Sequence, residues 1–317
     1  MCFLRSAPKL IIYMEKFTIN NEAKTNTLER DKPNSEKIII TGGTDGIGKA
    51  IAEAFLNNND SVAICGRSQE KIKQLRNTHK DLIAQQADIS DRQEAKKFTR
   101  EAIKDLKDLN VLVLSAAIFD FQFKSSDLSK DDIQKKMFKT NVIGNVAIIR
   151  EARETLKKTK GTIVFMQTRF GIVKDIETAP TIDSQSLAVR EDIGNYIENK
   201  KRLHKYLNDF VHDEENDGIF VFSVIPGTVD TPANRLLISV GTAEMSKVKL
   251  EERAMGKERD PQLVGIVIAK MAELRKKFNP DSSQYDIDIA NGEIIEISSA
   301  AIEYEQQKIN QKSNRKE

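Results

Sequence analysis

The sequence predicts an α/β fold, a doubly wound parallel β-sheet with helices on both faces, and three observations carry that reading. Short apolar runs alternate with helix-like segments along the chain, which is the rhythm of parallel βαβ units joined by right-handed crossovers. The first run, Ile38-Ile39-Ile40, gives way to Thr41-Gly42-Gly43-Thr44-Asp45-Gly46-Ile47-Gly48 and then to Lys49-Ala50-Ile51-Ala52-Glu53-Ala54, a β-branched strand followed by a helix former. A glycine turn that opens a helix gathers free N–H groups and the positive end of a helix dipole where no side chain intrudes. That is a pyrophosphate site. Thirdly, 317 residues with 39% hydrophobic content suffice for one large core.

Composition narrows the function. The net charge of +2 is spread over many residues of both signs, so no strongly basic face is expected and nucleic acid is not an expected partner. Cys2 and Cys65 lie too far apart for a disulfide framework or metal spacing, as suits a reducing cytosol, and Cys65 reads as a small core residue at a strand end. His79, His204 and His212 are scattered, and no metal site is expected. Residues 1–36 hold the patch Leu10-Ile11-Ile12-Tyr13 but no apolar core long enough for a secretory signal or a membrane span. Met14 is an alternative start to Met1. The reading is a loosely ordered extension over 1–35, a single domain over 36–299 and a polar tail over 300–317.

Along the chain, the second strand, Ser61-Val62-Ala63-Ile64-Cys65, ends in Gly66-Arg67-Ser68. An acidic residue near this place takes the ribose hydroxyls in NAD-binding folds. Here Gly66 leaves room for a 2′-phosphate and Arg67 supplies a cation, so NADP(H) is preferred and NAD(H) remains possible; a solvated loop arginine is the alternative. A helix over 69–80 leads to a third strand ending at Asp88-Ile89, where Asp88 suits an Asx turn or a helix cap with Ser90. The fourth strand, Val111-Leu112-Val113-Leu114, runs into Ser115-Ala116-Ala117-Ile118, and a helix over about 130–157 contains Asn141. Asparagine is a poor helix-interior residue and needs a reason to be there.

The fifth strand ends at Gln167-Thr168, at the mouth of the sheet, where open α/β sheets bind ligands. Next, Asn195-Tyr196-Ile197-Glu198-Asn199-Lys200 starts a helix to about His212, and the i,i+4 spacing brings the Lys200 ammonium to the Tyr196 phenol. The spacing alone is weak, because Tyr304 and Lys308 repeat it in the polar tail. A sixth strand over 219–224 delivers Ile225-Pro226-Gly227-Thr228-Val229-Asp230-Thr231-Pro232, a helix is expected over 261–276, and 291–297 reads as the last strand.

Taken together, the Thr-Gly-x-x-x-Gly-Ile-Gly turn, the helical Asn141, the strand-end hydroxyl and the Tyr-x-x-x-Lys pair resemble the short-chain dehydrogenase/reductase family over about 36–299. The resemblance implies a Rossmann-type sheet and a dinucleotide cradled by Thr41, Gly42, Gly43, Thr44, Asp45, Gly46, Ile47 and Gly48. Asp45 stands against NADP, since many NADP-preferring relatives carry a basic residue there. By the same resemblance Asp88 and Ile89 contact adenine, and Ser115, Ala116 and Ala117 pass the ribose in place of the family's Asn-Asn-Ala-Gly. Pro226, Gly227, Val229 and Thr231 line the nicotinamide. Thr168, with Ser184 as second choice, polarises the substrate oxygen, Asn141 opens its helix and holds a relay water, Tyr196 is the acid or base, and Lys200 lowers its pKa and holds the ribose. A phenol near pKa 10 needs lowering by about three units, or about 4 kcal/mol, and one cation at ~4 Å in an effective dielectric near 20 contributes roughly that.

The implied protein is a cytoplasmic NADP(H)-dependent oxidoreductase acting on a small-molecule carbonyl or alcohol, without metal, nucleic acid or membrane, and assembled as a homo-oligomer, a dimer or tetramer. The altered Ser115-Ala116-Ala117 and Gln167-Thr168 positions keep open a non-catalytic NADP-binding sensor or interaction protein. The long segment 172–195 either shapes the pocket or is a solvated excursion, and 230–260 reads as a substrate lid.

Overall fold

The computed structural model describes residues 35–168, 184–216, 218–276, 294–297 and 299–314; the expectations for 1–34, for 172–183 and for the last tail residues fall outside these. Seven strands form one sheet: β1 (Lys37–Thr41), β2 (Ser61–Gly66), β3 (Ile83–Gln86), β4 (Val111–Leu114), β5 (Thr162–Met166), β6 (Phe220–Ile225) and β7 (Ile294–Glu296). Their order is β3-β2-β1-β4-β5-β6-β7, with every pairing parallel. This is the predicted doubly wound sheet. The winding reverses between β1 and β4, so a crevice opens where the glycine turn leaves β1 and Ser115 leaves β4.

Ten helices complete the described chain: α1 (Gly46–Asn57), α2 (Gln69–Thr78), α3 (Arg92–Leu106), α4 (Lys130–Phe138), α5 (Asn145–Thr159), α6 (Ser184–Val211), α7 (Pro232–Val240), α8 (Ala243–Ala254), α9 (Pro261–Lys276) and α10 (Ser299–Asn314). Strand alternation divides the core between the two faces of the sheet. Ile38, Ile40, Ile64, Val113, Val164 and Phe222 pack with Phe55 of α1 and Val264 and Ile268 of α9. Ile39, Ala63, Leu112, Ile163 and Val221 pack with Phe98 of α3, Ile148 of α5 and Leu203 of α6. With both faces covered, the central strands read as unbroken apolar runs.

Two helices are interrupted, the first where an opening at Asn141 is expected. The helix predicted over 130–157 is interrupted by a π-helical turn, Lys139–Gly144, between α4 and α5. The wider turn frees carbonyls, and the Asn145 side chain answers by donating to Thr140 O at 3.3 Å and Asn141 O at 3.0 Å. The Tyr196 helix starts where expected, as the second part of α6, whose regular backbone is broken at Ile193 (φ −143°, ψ 18°); the part from Ser184 to the break is additional. Among the described residues no helix is long and apolar enough to cross a membrane.

Packing of α1 on α9 requires a glycine. A Cβ at Gly265 would stand 2.5 Å from the Ala50 carbonyl carbon, a backbone atom that cannot turn aside. Gly265→Ala is therefore expected to destabilise the fold by about 1–3 kcal/mol through overpacking, read as a lower urea midpoint with an unchanged slope.

Candidate active site

The crevice is a cleft of about 420 Å³, walled by the glycine turn, the ends of β2, β3 and β4, and the first turn of α7. The turn is built for close approach. Gly42 and Gly46 have φ +66° and +51°, and a Cβ on Gly42 would meet the Ala116 Cα at 2.8 Å. A Cβ on Gly48 would meet the Gly42 oxygen at 2.4 Å. Gly42, Thr44, Asp45, Gly46, Ile47 and Gly48 line the cleft, with Arg67, Asp88, Ile89, Ser115, Ala116, Ala117 and Thr231. A cradle that side chains would fill, at the start of a 12-residue helix, fits a dinucleotide pyrophosphate.

Thr41 and Gly43, expected in that cradle, do not line it. The Thr41 hydroxyl is wholly buried and accepts the N–H groups of Ser115 at 3.2 Å and Ala116 at 3.1 Å. Alternation along β1 turns it toward β4. Gly43 packs its backbone against Ile64 and donates to the Cys65 carbonyl. Cys65 itself is buried, which pushes its thiol up to about 12.

At the outer end of the cleft, Asp45 caps α1 by accepting from Gly46 N at 2.8 Å, and its other oxygen pairs with the Lys71 ammonium. Lys71, from the first turn of α2, lines the cleft beside Arg67 and Ser68 and was missed in the sequence. Its position one helical turn after Arg67 is the signal available there. Asp88 forms the Asx turn, its Oδ1 accepting from Ser90 N at 2.9 Å, while Asp91 rather than Asp88 caps α3.

At the inner end, Thr231 stands over Gly46 and caps α7. Pro226, Gly227 and Val229 lie off the cleft wall: Arg259 donates to the Pro226 carbonyl at 2.7 Å and crowds Gly227, and Val229 is buried. Phe119, Gln122, Ala233 and Leu236 also line this end and were not foreseen.

Asn141, Thr168, Tyr196 and Lys200 do not line the cleft; the link to it is Phe119, whose ring lies 4.5 Å from that of Tyr196 between centroids. Tyr196 and Lys200 lie on one face of α6, with Nζ 5.4 Å from the phenol ring centroid and 4.6 Å from that of Phe165. Lys200 donates to the Met166 carbonyl at the end of β5, two residues short of Thr168, which is half-buried and gives its N–H to Gln167 Oε1 at 2.9 Å. Ser184 is the first residue of α6, and its side chain lies outside the described residues. Asn141 sits in the π turn, buried, with its amide closed on one residue: Oδ1 accepts from Ile118 N and Nδ2 donates to Ile118 O, both at 2.8 Å.

The expected lowering of the phenol is not what burial produces. Removal from water raises the Tyr196 pKa above its ordinary value and lowers that of Lys200 to about 7, because desolvation penalises both charged forms. Near neutrality much of the lysine is uncharged, and an uncharged amine exerts no field on its neighbour.

The sheet and its glycine-opened cleft define a Rossmann-type α/β fold. The family model described as short chain dehydrogenase matches residues 36–180. Chlorophyll(ide) b reductase NOL of Arabidopsis thaliana is 26% identical over 215 residues, covering 66% of this chain and 58% of that protein. Cis-2,3-dihydrobiphenyl-2,3-diol dehydrogenase of Pseudomonas putida is 24% identical over 144 residues, covering 44% and 52%. The matches thus span little more than half the length of these curated relatives. In fold the chain is similar to a short chain dehydrogenase/reductase structure from Saccharomyces cerevisiae, with TM-score 0.66, 22% identity and coverage of 85% and 99%. The comparisons support the short-chain dehydrogenase/reductase family over the matched part of the chain.

Burial of Lys200 makes stability depend on pH. Its folded pKa of about 7 lies below the ordinary value of 10.5, so between these limits the unfolded chain binds more protons and stability rises with pH. Above pH ~10 the raised phenol reverses the slope. Urea unfolding of wild type against Lys200→Met is expected to show the rise from about pH 7 to 10 only in the wild type.

Proposed function

We propose that this chain is an NADP(H)-dependent oxidoreductase that moves a hydride between the nicotinamide and a carbonyl or alcohol carbon of a small molecule. The observation that carries the reading is the pairing of Tyr196 with Lys200 on α6, packed against the end of β5 beside the glycine-cradled cleft. Two relatives support both directions by name, one a reductase and one a diol dehydrogenase. The reducing cytosol as location and a homo-oligomeric assembly belong to the same reading.

Bound nicotinamide supplies or accepts the hydride. The Gly42, Gly46 and Gly48 backbone would hold the pyrophosphate of a bound dinucleotide, and Asp88 and Ile89 its adenine. Tyr196 gives the proton to the forming alkoxide or takes it from the alcohol. Lys200 holds the ribose and, once charged, stabilises the phenolate; Thr168 donates a hydrogen bond to the reacting oxygen. Asn141 supports a relay water, and its grip on Ile118 keeps the neighbouring loop fixed.

Arg67, Ser68 and Lys71 at the outer edge support NADP over NAD, because two cations and a hydroxyl suit a 2′-phosphate. Asp45 pairs with Lys71, so on this reading the one ammonium is shared between Asp45 and the 2′-phosphate.

Tyr196→Phe is expected to abolish NADPH oxidation with the aldehydes, ketones and quinones that wild type accepts, while NADPH binding persists. Retained turnover refutes the assignment; NADPH binding by a wild type that turns over nothing favours a sensor on the same fold. Arg67→Ala and Lys71→Ala are each expected to weaken NADPH binding by about tenfold or more, the loss of a charge-assisted contact, and to leave NADH binding unchanged. Equal losses for both cofactors, measured by fluorescence titration, count against the 2′-phosphate reading.

A further inference from the structure

The Tyr196 segment of α6 begins at a break, and a break leaves N–H groups without helical partners. Ile193 is non-helical, so the turn that carries Tyr196 starts afresh after it. Its free donors are met by a residue remote in sequence. Asp120 Oδ1 accepts from Asn195 N at 3.2 Å and Asn195 Nδ2 at 2.7 Å, and Oδ2 accepts from Tyr196 N at 3.0 Å. A carboxylate at a helix start also meets the positive end of the helix dipole. Burial pushes the Asp120 carboxyl up, and these N–H bonds pull against that shift.

The same short segment grips Tyr196 from the other side. The ring of Phe119 lies against the phenol ring, with centroids 4.5 Å apart, and Lys124 pairs with the fully buried Asp192 just ahead of the break. Asp192 in turn accepts from Thr242 N at 2.8 Å and Oγ1 at 3.0 Å. Both halves of the broken helix are thus held by residues 119–124, whose own start is pinned through Ile118 to Asn141.

We propose that Asp120 is a positioning residue for catalysis: as the N-cap of the Tyr196 turn it sets where the phenol stands relative to Lys200 and the end of β5. The proposal rests on the reading of Tyr196 as proton donor. Its test compares wild type, Asp120→Asn, Asp120→Ala and Tyr196→Phe as full chains, with NADPH and an aldehyde or ketone that wild type reduces. Misplacing the phenol is expected to lower kcat by about 10- to 100-fold in Asp120→Ala, with NADPH affinity unchanged. Asp120→Asn falls between, because its single carbonyl oxygen still serves Asn195 while its amide turns an N–H toward the Tyr196 N–H. In a spectrophotometric titration, the phenol absent from Tyr196→Phe is expected to move in both Asp120 variants toward the free tyrosine value of about 10.

Undiminished kcat in both variants, an unmoved phenol titration, or a parallel loss of NADPH affinity overturns the proposal. If Asp120→Ala does not fold, the isosteric Asp120→Asn decides by the same readouts. If Tyr196→Phe keeps turnover, the proton-donor reading fails by itself, and the titration alone judges whether Asp120 places the phenol.

Discussion

Ten residues after β4 have no ladder to sit in, and the site depends on how their backbone is satisfied. Buried peptide groups need partners, and here side chains from other elements supply them. The Thr41 hydroxyl takes the amides of Ser115 and Ala116, and the Asn141 amide closes on both polar groups of Ile118. Gly42 then comes against Ala116 so closely that a side chain has no room. The floor of the cleft is therefore a contact between two loops, each fixed from behind. Buried hydrogen bonds of this kind cost about 1–3 kcal/mol when one partner is lost, enough to let the cleft wall drift.

The fold was legible because its signals are local. Parallel strands covered on both faces must be apolar throughout, so Ile38-Ile39-Ile40 and Val111-Leu112-Val113-Leu114 announced themselves. The glycine turn was legible too, since positive φ at Gly42 and Gly46 and backbone contact at Gly48 leave no other residue comfortable. What the chain did not reveal depends on pairings far apart in sequence. The partners of the Thr41 hydroxyl follow from the β1 to β4 pairing, the partner of Asp45 from the parallel pairing of β1 and β2, and the bonds of Asp120 from a helix break at Ile193. The odd Asn141 did mark an irregular helix, yet its amide serves Ile118, and it is Asn145 that repairs the widened turn.

Charge is distributed unevenly along the site. The outer end of the cleft carries Arg67, Lys71, Asp45 and Asp88, all open enough to be screened by solvent. The inner wall offers Phe119, Ala233 and Leu236, continuous with a small apolar cluster in which Phe121, Ile193, Ile197, Leu237 and Met245 join α6 to α7 and α8. A charged group is cheap to hold at the outer end and expensive at the inner one.

That contrast explains the state of the reactive pair. Lys200, almost fully buried, keeps a proton only to about pH 7, and the phenol beside it resists losing one. Passing a proton from Tyr196 to Lys200 would create two charges in a low-dielectric site, and their mutual attraction must offset two desolvation costs. Near neutrality burial therefore leaves the pair largely uncharged, and ionising the phenol would need a further positive charge or hydrogen-bond donor beside it. The Asp120 and Phe119 contacts hold Tyr196 in that place, away from the water in which a free phenol titrates at about 10.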